Sequence, residues 1–168
     1  MGWVMWMLLQ HMGRDNILRG LHDFQTAYAD NVDHPVLQDL TAFLRAYAPD
    51  AESYDVFVKQ WFHEVVIAEY KLEDAKKTRV DGRFRATVRV KNAGTGTMPV
   101  TLAAVKGDRF DEAQQPAADY EVARQTIALG AGETKEVTIE CDFEPDTIVV
   151  DPDALVLQLR RKFATAKL

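Results

Sequence analysis

The spacing of apolar residues changes period once along this chain, near residue 64, and that change limits the folds open to it. Before it, apolar side chains recur three and four apart, the spacing that gives a helix one apolar face. Ile17, Leu18, Leu21, Phe24 and Tyr28 form one stripe, opening at Asp15 or Asn16. Val36, Leu37, Leu40, Phe43, Leu44 and Tyr47 form a second, just after Pro35. Tyr54, Phe57, Val58, Trp61 and Phe62 form a third, with Asp50 or Ser53 as N-cap and Pro49 breaking the helix before it. Short connections predict packed antiparallel neighbours. Trp3 to Met12 is apolar almost all round, a pattern normal for a helix buried on every side.

From about Val65 the period is two. In "GRFRATVRVK" Phe84, Ala86, Val88 and Val90 alternate with Arg83, Arg85, Thr87, Arg89 and Lys91. Asp81-Gly82 before it supplies the positive φ angles of a tight hairpin turn. "MPVTLAAVKG", "YEVARQTIAL", "TKEVTIECDF", "DTIVV" and "ALVLQL" read as further strands between Gly, Pro and Asp turns. The expected fold is therefore α+β. Residues 1–64 should form N-terminal helical hairpins or a bundle, and residues 65–168 an immunoglobulin-like antiparallel β-sandwich. Its expected core is Phe84, Val88, Val90, Val137, Ile139 and Phe143.

Few residues suggest chemistry. "WFHEVVI" opens like the zinc-protease motif H-E-x-x-H, in which two His residues four apart on a helix bind the metal and the Glu acts as base. His63 and Glu64 are present, but Ile67 stands where the second ligand belongs, and an alkyl group cannot ligate zinc. Cys141 is the only cysteine, so no intrachain disulfide exists. It alternates with Val137, Ile139 and Phe143 and reads as a buried strand position, with no spacing that supplies a base for a nucleophilic thiol. "KNAGTGT" lacks the Gly-Lys-Ser/Thr ending of a phosphate loop and falls between two strands, so it reads as a β-turn. Arg83, Arg85, Arg89 and Lys91 are either a patch for an anionic partner or the solvated face of a strand opposite Asp and Glu. His11, His22 and His34 have no metal-ligand spacing and are expected to be structural or solvated. The sequence therefore offers no catalytic, cofactor-binding or metal-binding residues.

A net charge of −6 argues against general nucleic-acid binding, which rests on clustered Lys and Arg. No apolar run is long enough to insert in a bilayer. The first residues lack a basic leader and a small-residue cleavage site, so a signal peptide is not expected and the chain reads as soluble.

The helical half resembles one family. "GWVMWMLLQHMGRDNILRGLHDF" is similar to the segment after the catalytic Tyr in the gluzincin-clan zinc aminopeptidases, through Gly2, Val4, Met7, Leu8, Gly13, Leu18, Gly20, Leu21 and Phe24. "YDVFVKQWF" resembles that family's Phe-apolar-x-Gln-Trp helix, through Phe57, Val58, Gln60 and Trp61. The alternating half resembles the Ig-like domain that follows the catalytic domain in these peptidases. "TIVVDPDALVLQL" resembles the end of bacterial proteins that fuse an ABC-type permease to such a peptidase part. The resemblance implies that the H-E-x-x-H, the downstream Glu ligand and the Tyr lie N-terminal to Gly2. Zinc would belong to that parent, a metallopeptidase that the permease resemblance would associate with a membrane, and not to this chain.

Two functions follow as expectations. In the first, the chain is a non-catalytic C-terminal part of a zinc aminopeptidase-like protein, supporting and orienting the catalytic domain, its principal partner. Trp3, Val4, Trp6, Met7, Leu8 and Met12 then cover more of their helix than the other helices can bury, so a homodimer through the N-terminal helices, or a disordered first turn, is expected in isolation. In the second, the chain is a free-standing interaction module whose sandwich binds a protein or carbohydrate. A hydrolase built on its own acidic residues would need two carboxylates converging in a cleft.

Overall fold

The structure is a computed structural model that describes residues 2–30 and 34–168. Met1, where the first apolar run opens, lies outside the described residues. Two compact units divide the chain, Met1–Val66 and Ile67–Leu168.

The first unit holds helices α1 (Gly2–Met12), α2 (Arg14–Tyr28), α3 (Leu37–Leu44) and α4 (Ala51–Val58). Gly13 alone separates α1 from α2, at φ 81°, a conformation that glycine adopts without the strain a Cβ brings. Its amide closes α1 on the Leu9 carbonyl at 2.9 Å, and its carbonyl starts α2 by accepting from Ile17. Glycine's turn, not an Asp15 or Asn16 cap, therefore sets where α2 begins. At α3 the Asp39 carboxylate reaches back to accept from the Val36 amide at 2.9 Å. At α4 it is Asp50 that caps, accepting from the Glu52 amide at 3.1 Å. The helix then widens into a π turn over Lys59–His63 and stops where Glu64 becomes extended.

Met7, Leu8, Met12, Ile17, Leu44, Tyr54, Phe57, Val58 and Trp61 are the buried apolar residues of this unit. The Tyr54 hydroxyl is carried into the core because it donates to the Thr41 carbonyl at 2.7 Å, tying α4 to α3. Burial pushes that phenol up to about 12. Gly20 lets α2 approach α3 closely, since a Cβ there would meet Leu44 at 2.7 Å and the Tyr47 ring at 3.1 Å. Beside it Phe24, Tyr28, Phe43 and Tyr47 stack and tilt against one another, with Phe24 and Phe43 edge-to-face at 5.4 Å.

The second unit holds strands β1 (Tyr70–Val80), β2 (Arg83–Asn92), β3 (Met98–Lys106), β4 (Glu121–Leu129), β5 (Thr134–Cys141), β6 (Thr147–Val150) and β7 (Thr165–Lys167). They make two antiparallel sheets, ordered β1-β2-β5 and β4-β3-β6-β7. With the helices this is an α+β chain. The hairpin β1-β2 turns on Asp81 (φ 52°) and Gly82 (φ 86°), both left-handed as a two-residue type I′ turn requires. Ala86, Val88 and Val90 point inward beside Ile139 and Val137, and Val100, Leu102, Ala104, Ile148 and Val150 do so from the other sheet. Phe84 and Phe143, expected in this core, are only half-buried. Phe84 lies near one end of β2, where the Arg79 guanidinium covers its ring at 5.4 Å.

"ALVLQL" is not a strand, and the physical reason is Asp151. This residue sits at φ 56° just after β6 and is 4% exposed. Its carboxylate accepts from the amides of Leu155 (2.7 Å) and Val156 (2.9 Å) and from the Gln158 side chain (3.2 Å). Arg161 completes the set at 2.8 Å. Amides held by a side chain are lost to a ladder, so the segment curls around the carboxylate. The final strand is instead Thr165–Lys167, which pairs with β6.

Two substitutions separate these contributions. Ile139→Ala is expected to cost about 2–4 kcal/mol because it leaves a cavity in a closed core, with a smaller loss for Phe143→Ala. Asp151→Ala is expected to cost about 3 kcal/mol by orphaning buried donors, and Asp151→Asn less because one acceptor oxygen remains. Calorimetry or amide exchange of the strand unit measures both. An Asp151→Ala protein as stable as the parent would remove that carboxylate from its central role.

Candidate docking surface

The helical unit carries its most apolar surface on α1, and the sequence explains why. Between Gly2 and Met12 only Gln10 and His11 are polar, so the helix has no face suited to water. Met7, Leu8 and Met12 turn into the core, whereas Trp3 and Trp6 remain 43% and 46% exposed. Met5, Trp6 and Leu9 of α1 line a groove of about 260 Å³ with Ile17, Leu18 and Leu21 of α2. Leu18 is itself 48% exposed. An exposed contiguous apolar groove with almost no polar lining is a surface for another apolar surface.

Elsewhere in this unit several polar side chains pair with one another. His11 stacks on Phe57 with centroids 4.9 Å apart, and its Nε2 lies 3.3 Å from the Ser53 hydroxyl. No local pattern points to this Ser-His pair, because its members stand 42 residues apart. Burial is the main cause that lowers the His11 pKa below its ordinary value. At that long separation, with its ring packed flat on Phe57, His11 serves the α1–α4 contact. A second concavity, about 360 Å³, lies between α3 and α4 and includes Thr41, Lys59 and His63. Its charges cancel: Arg45 grips Asp55 with two hydrogen bonds of 2.7 and 2.9 Å. That partner holds the Asp55 carboxyl below the usual range.

His63 and Glu64 are both exposed, at the end of the π turn and just beyond it, with Glu64 3.8 Å from Lys59. Ile67 belongs to the other unit. His22 is exposed beside Asp23 at 3.0 Å, and His34 is exposed before Pro35. Among the described residues no group of three or more His, Cys, Asp or Glu is arranged to hold a metal, and no helix is long and apolar enough to cross a membrane.

In the strand unit Cys141 is 1% exposed on β5, and burial pushes its thiol up, away from the reactive thiolate. "KNAGTGT" is a turn laid against the strand entry. The Thr95 and Gly96 amides donate to the Ile67 carbonyl at 2.9 and 3.1 Å, and Ala93 donates to Glu69 at 2.7 Å. Any Cβ on Gly94 would collide with the Ile67 carbonyl and the Glu69 amide. The arginines of the basic row face carboxylates. Arg83 meets Asp142 at 2.6 Å, Arg85 meets Glu140 at 3.1 Å, and Arg89 pairs with Asp74. Lys91 differs, since the residue opposite it on β1 is Lys71.

The three tryptophans, at 3, 6 and 61, all lie in the helical unit, so their fluorescence reports on it alone. His11 has its pKa lowered from 6.5 in the folded state, so as pH falls past that value the unfolded chain takes the proton first. Stability of this unit should therefore fall on acidification through the ordinary histidine range. The depressed Asp55 carboxyl keeps its contribution until far lower pH. The tryptophan-detected urea midpoint is expected to be lower at about pH 5 than at about pH 7.5, and His11→Gln should remove part of that difference.

No protein-family model matches the chain, and no curated protein matches it. Among solved structures it is similar to the β-glucosidase DesR from Streptomyces venezuelae in complex with D-glucose, at 17% identity and a TM-score of 0.38. That match covers 60% of this chain and 15% of the glucosidase. It is also similar to the CARDB domain of a Pyrococcus furiosus protein in complex with di-metal ions, at 17% identity and a TM-score of 0.43 over 62% of this chain and 93% of that one. β-Glucosidase 3B from Thermotoga neapolitana in complex with glucose gives 17% identity and a TM-score of 0.36, covering 60% of this chain and 16% of that one. The chain thus spans about a sixth of the glucosidases it matches, and these likenesses assign it no activity.

Proposed function

We propose that this chain is a non-catalytic C-terminal part of a larger, zinc aminopeptidase-like protein, in which it supports and orients the catalytic domain. The observation that carries the reading is the apolar surface of α1: the groove lined by Trp6 and Leu18, together with Trp3 on the same helix, leaves three large side chains more than two-fifths exposed, a surface that an apolar partner would complete. Each such side chain is worth roughly 1.5–3 kcal/mol when fully buried, so a few suffice to hold a domain in place. Zinc and the residues that bind it belong, on this reading, to the partner domain.

The strand unit is, on the same reading, an immunoglobulin-like sandwich that props the assembly. Constant-type immunoglobulin domains place strands one, two, five and four on one sheet and three, six and seven on the other. Here β4 pairs with β3, so the same order holds with the fourth strand moved across.

The decisive test begins with the coding sequence upstream of Met1. An H-E-x-x-H followed by a further Glu and a Tyr is expected there. That upstream segment, expressed separately, should bind this chain, and Trp6→Asp should weaken the binding at least tenfold, or about 1.4 kcal/mol. Alone, the chain should self-associate or fray at α1 in sedimentation across a concentration series, and Trp3→Gln with Trp6→Gln should abolish self-association. A coding sequence without the motif, or a strictly monomeric chain with an ordered α1 indifferent to those changes, would overturn the proposal.

A further inference from the structure

We infer that a cationic patch around Phe163, at one end of the strand unit, binds an acidic peptide segment of a partner protein. The inference stands apart from the α1 groove and concerns Ile67–Leu168 alone.

The outward face of the β1-β2-β5 sheet is built in cross-strand rows. One row is Glu73, Arg89 and Glu136, and another includes Arg85 and Glu140, so opposite charges alternate. The terminal row breaks the pattern: Lys71 stands opposite Lys91, and Lys91 opposite Thr134. Facing lysines repel, and neither has a carboxylate within ion-pair distance among the described residues. Lys162, on the segment after the Asp151 loop and over the same Phe163 ring as Lys71, has none either among the described residues.

Phe163 joins these charges into one surface. It is 39% exposed, and the amino groups of Lys162 and Lys71 lie 5.0 and 5.9 Å from its ring centroid. The Arg160 guanidinium lies at 5.4 Å, but its charge is already met by Glu69 at 2.7 Å. Two uncompensated ammonium groups therefore flank an exposed ring, and a third, that of Lys91, belongs to the residue opposite Lys71 on the neighbouring strand, with Leu159, 55% exposed, close by in the chain.

The size of the patch selects the partner. Alternate residues on a strand are about 7 Å apart, so the Glu73 and Glu136 carboxylates fence the cationic row at roughly that distance. A flat anionic membrane or a polyanionic chain would meet those carboxylates and a protein of net charge −6. One or two carboxylates on an extended segment fit inside the fence, with an apolar side chain of the same segment against Phe163 and Leu159.

The test uses the full chain and a fluorescein-labelled acidic peptide, Glu-Leu-Asp-Phe-Glu, followed by anisotropy and by amide shift mapping. The expected Kd is on the order of 0.1–1 mM, weakening several-fold when salt rises from about 0.02 to about 0.3 M. Shifts should centre on residues 71, 91 and 159–163. Lys91→Glu and Lys162→Glu should each weaken binding at least fivefold and Phe163→Ala at least threefold, whereas Arg85→Gln, on the charge-paired part of the sheet, should leave it unchanged. The inference is overturned by no binding at millimolar peptide, by equal binding of the Lys-for-Asp/Glu peptide, by indifference to Lys91→Glu in a folded variant, or by tighter binding to phosphatidylserine vesicles or heparin than to the peptide.

Discussion

The strand unit depends most on one buried carboxylate. Asp151 leaves water almost completely, which costs several kcal/mol unless its lone pairs are met. They are met by two backbone amides, one carboxamide and one guanidinium, and each of those donors comes from the ten residues that follow it. The chain is thereby bent into a fixed loop. Arg161, anchored by Asp151 and by the Val156 carbonyl at 2.6 Å, then sets where Phe163 emerges. The Val150 amide donates to the Ala164 carbonyl at 2.8 Å and β7 falls into register with β6. A core requirement and a surface feature are thus the same event: without the carboxylate, neither the last strand nor the aromatic at the cationic patch has a reason to be where it is. Tyr70, fully buried nearby with its hydroxyl unpartnered among the described residues, has its ionisation pushed up by burial and by Asp151.

The helical unit is governed by the opposite problem, too much apolar surface for the elements available. α2 and α3 each carry one apolar stripe and are closed by the Phe24, Tyr28, Phe43 and Tyr47 cluster, with Tyr47 donating to Asp23 at 2.8 Å. α1 has no polar face to spare, so whichever side it turns to the core leaves apolar side chains on the other, and here Trp3 and Trp6 are the ones left out. Gly13 limits that choice, because it is the single residue between α1 and α2.

Local chemistry was legible in the sequence and non-local chemistry was not. The Asp81-Gly82 turn, the alternation in β2 and β5, the Asp50 cap and the strand at Thr147–Val150 follow from neighbours in sequence. "ALVLQL" has strand composition, yet the acceptor that captures its amides stands before it and looks like a turn residue. Thr165–Lys167 is too short and too polar to announce itself, and pairing with β6 makes it a strand. Asp74, at φ 54°, lies where the β1-β2 register shifts between Glu73 and Lys76, and that shift brings its carboxylate to Arg89. The α1 groove was legible as an excess of apolar residues, because helical spacing alone shows that no single stripe contains them.

The basic row illustrates why register decides function. Read along β2, Arg83, Arg85, Arg89 and Lys91 are four equivalent outward cations. Read across the sheet they are not equivalent, because antiparallel pairing gives the arginines carboxylate neighbours and gives Lys91 a lysine. An exposed ion pair contributes only about 0–1 kcal/mol, so the paired arginines gain little and offer little to a ligand. Opposed lysines instead carry a repulsion of a few tenths of a kcal/mol that any carboxylate placed between them relieves. The same carboxylate would gain the Lys162 ammonium beside Phe163 without breaking a pre-existing pair. Charge that is already neutralised must be uncovered before it can bind, and charge that is merely crowded need not be. Of the outward cations on this sheet, the terminal lysines are therefore the ones for which binding an anion removes a strain instead of creating one.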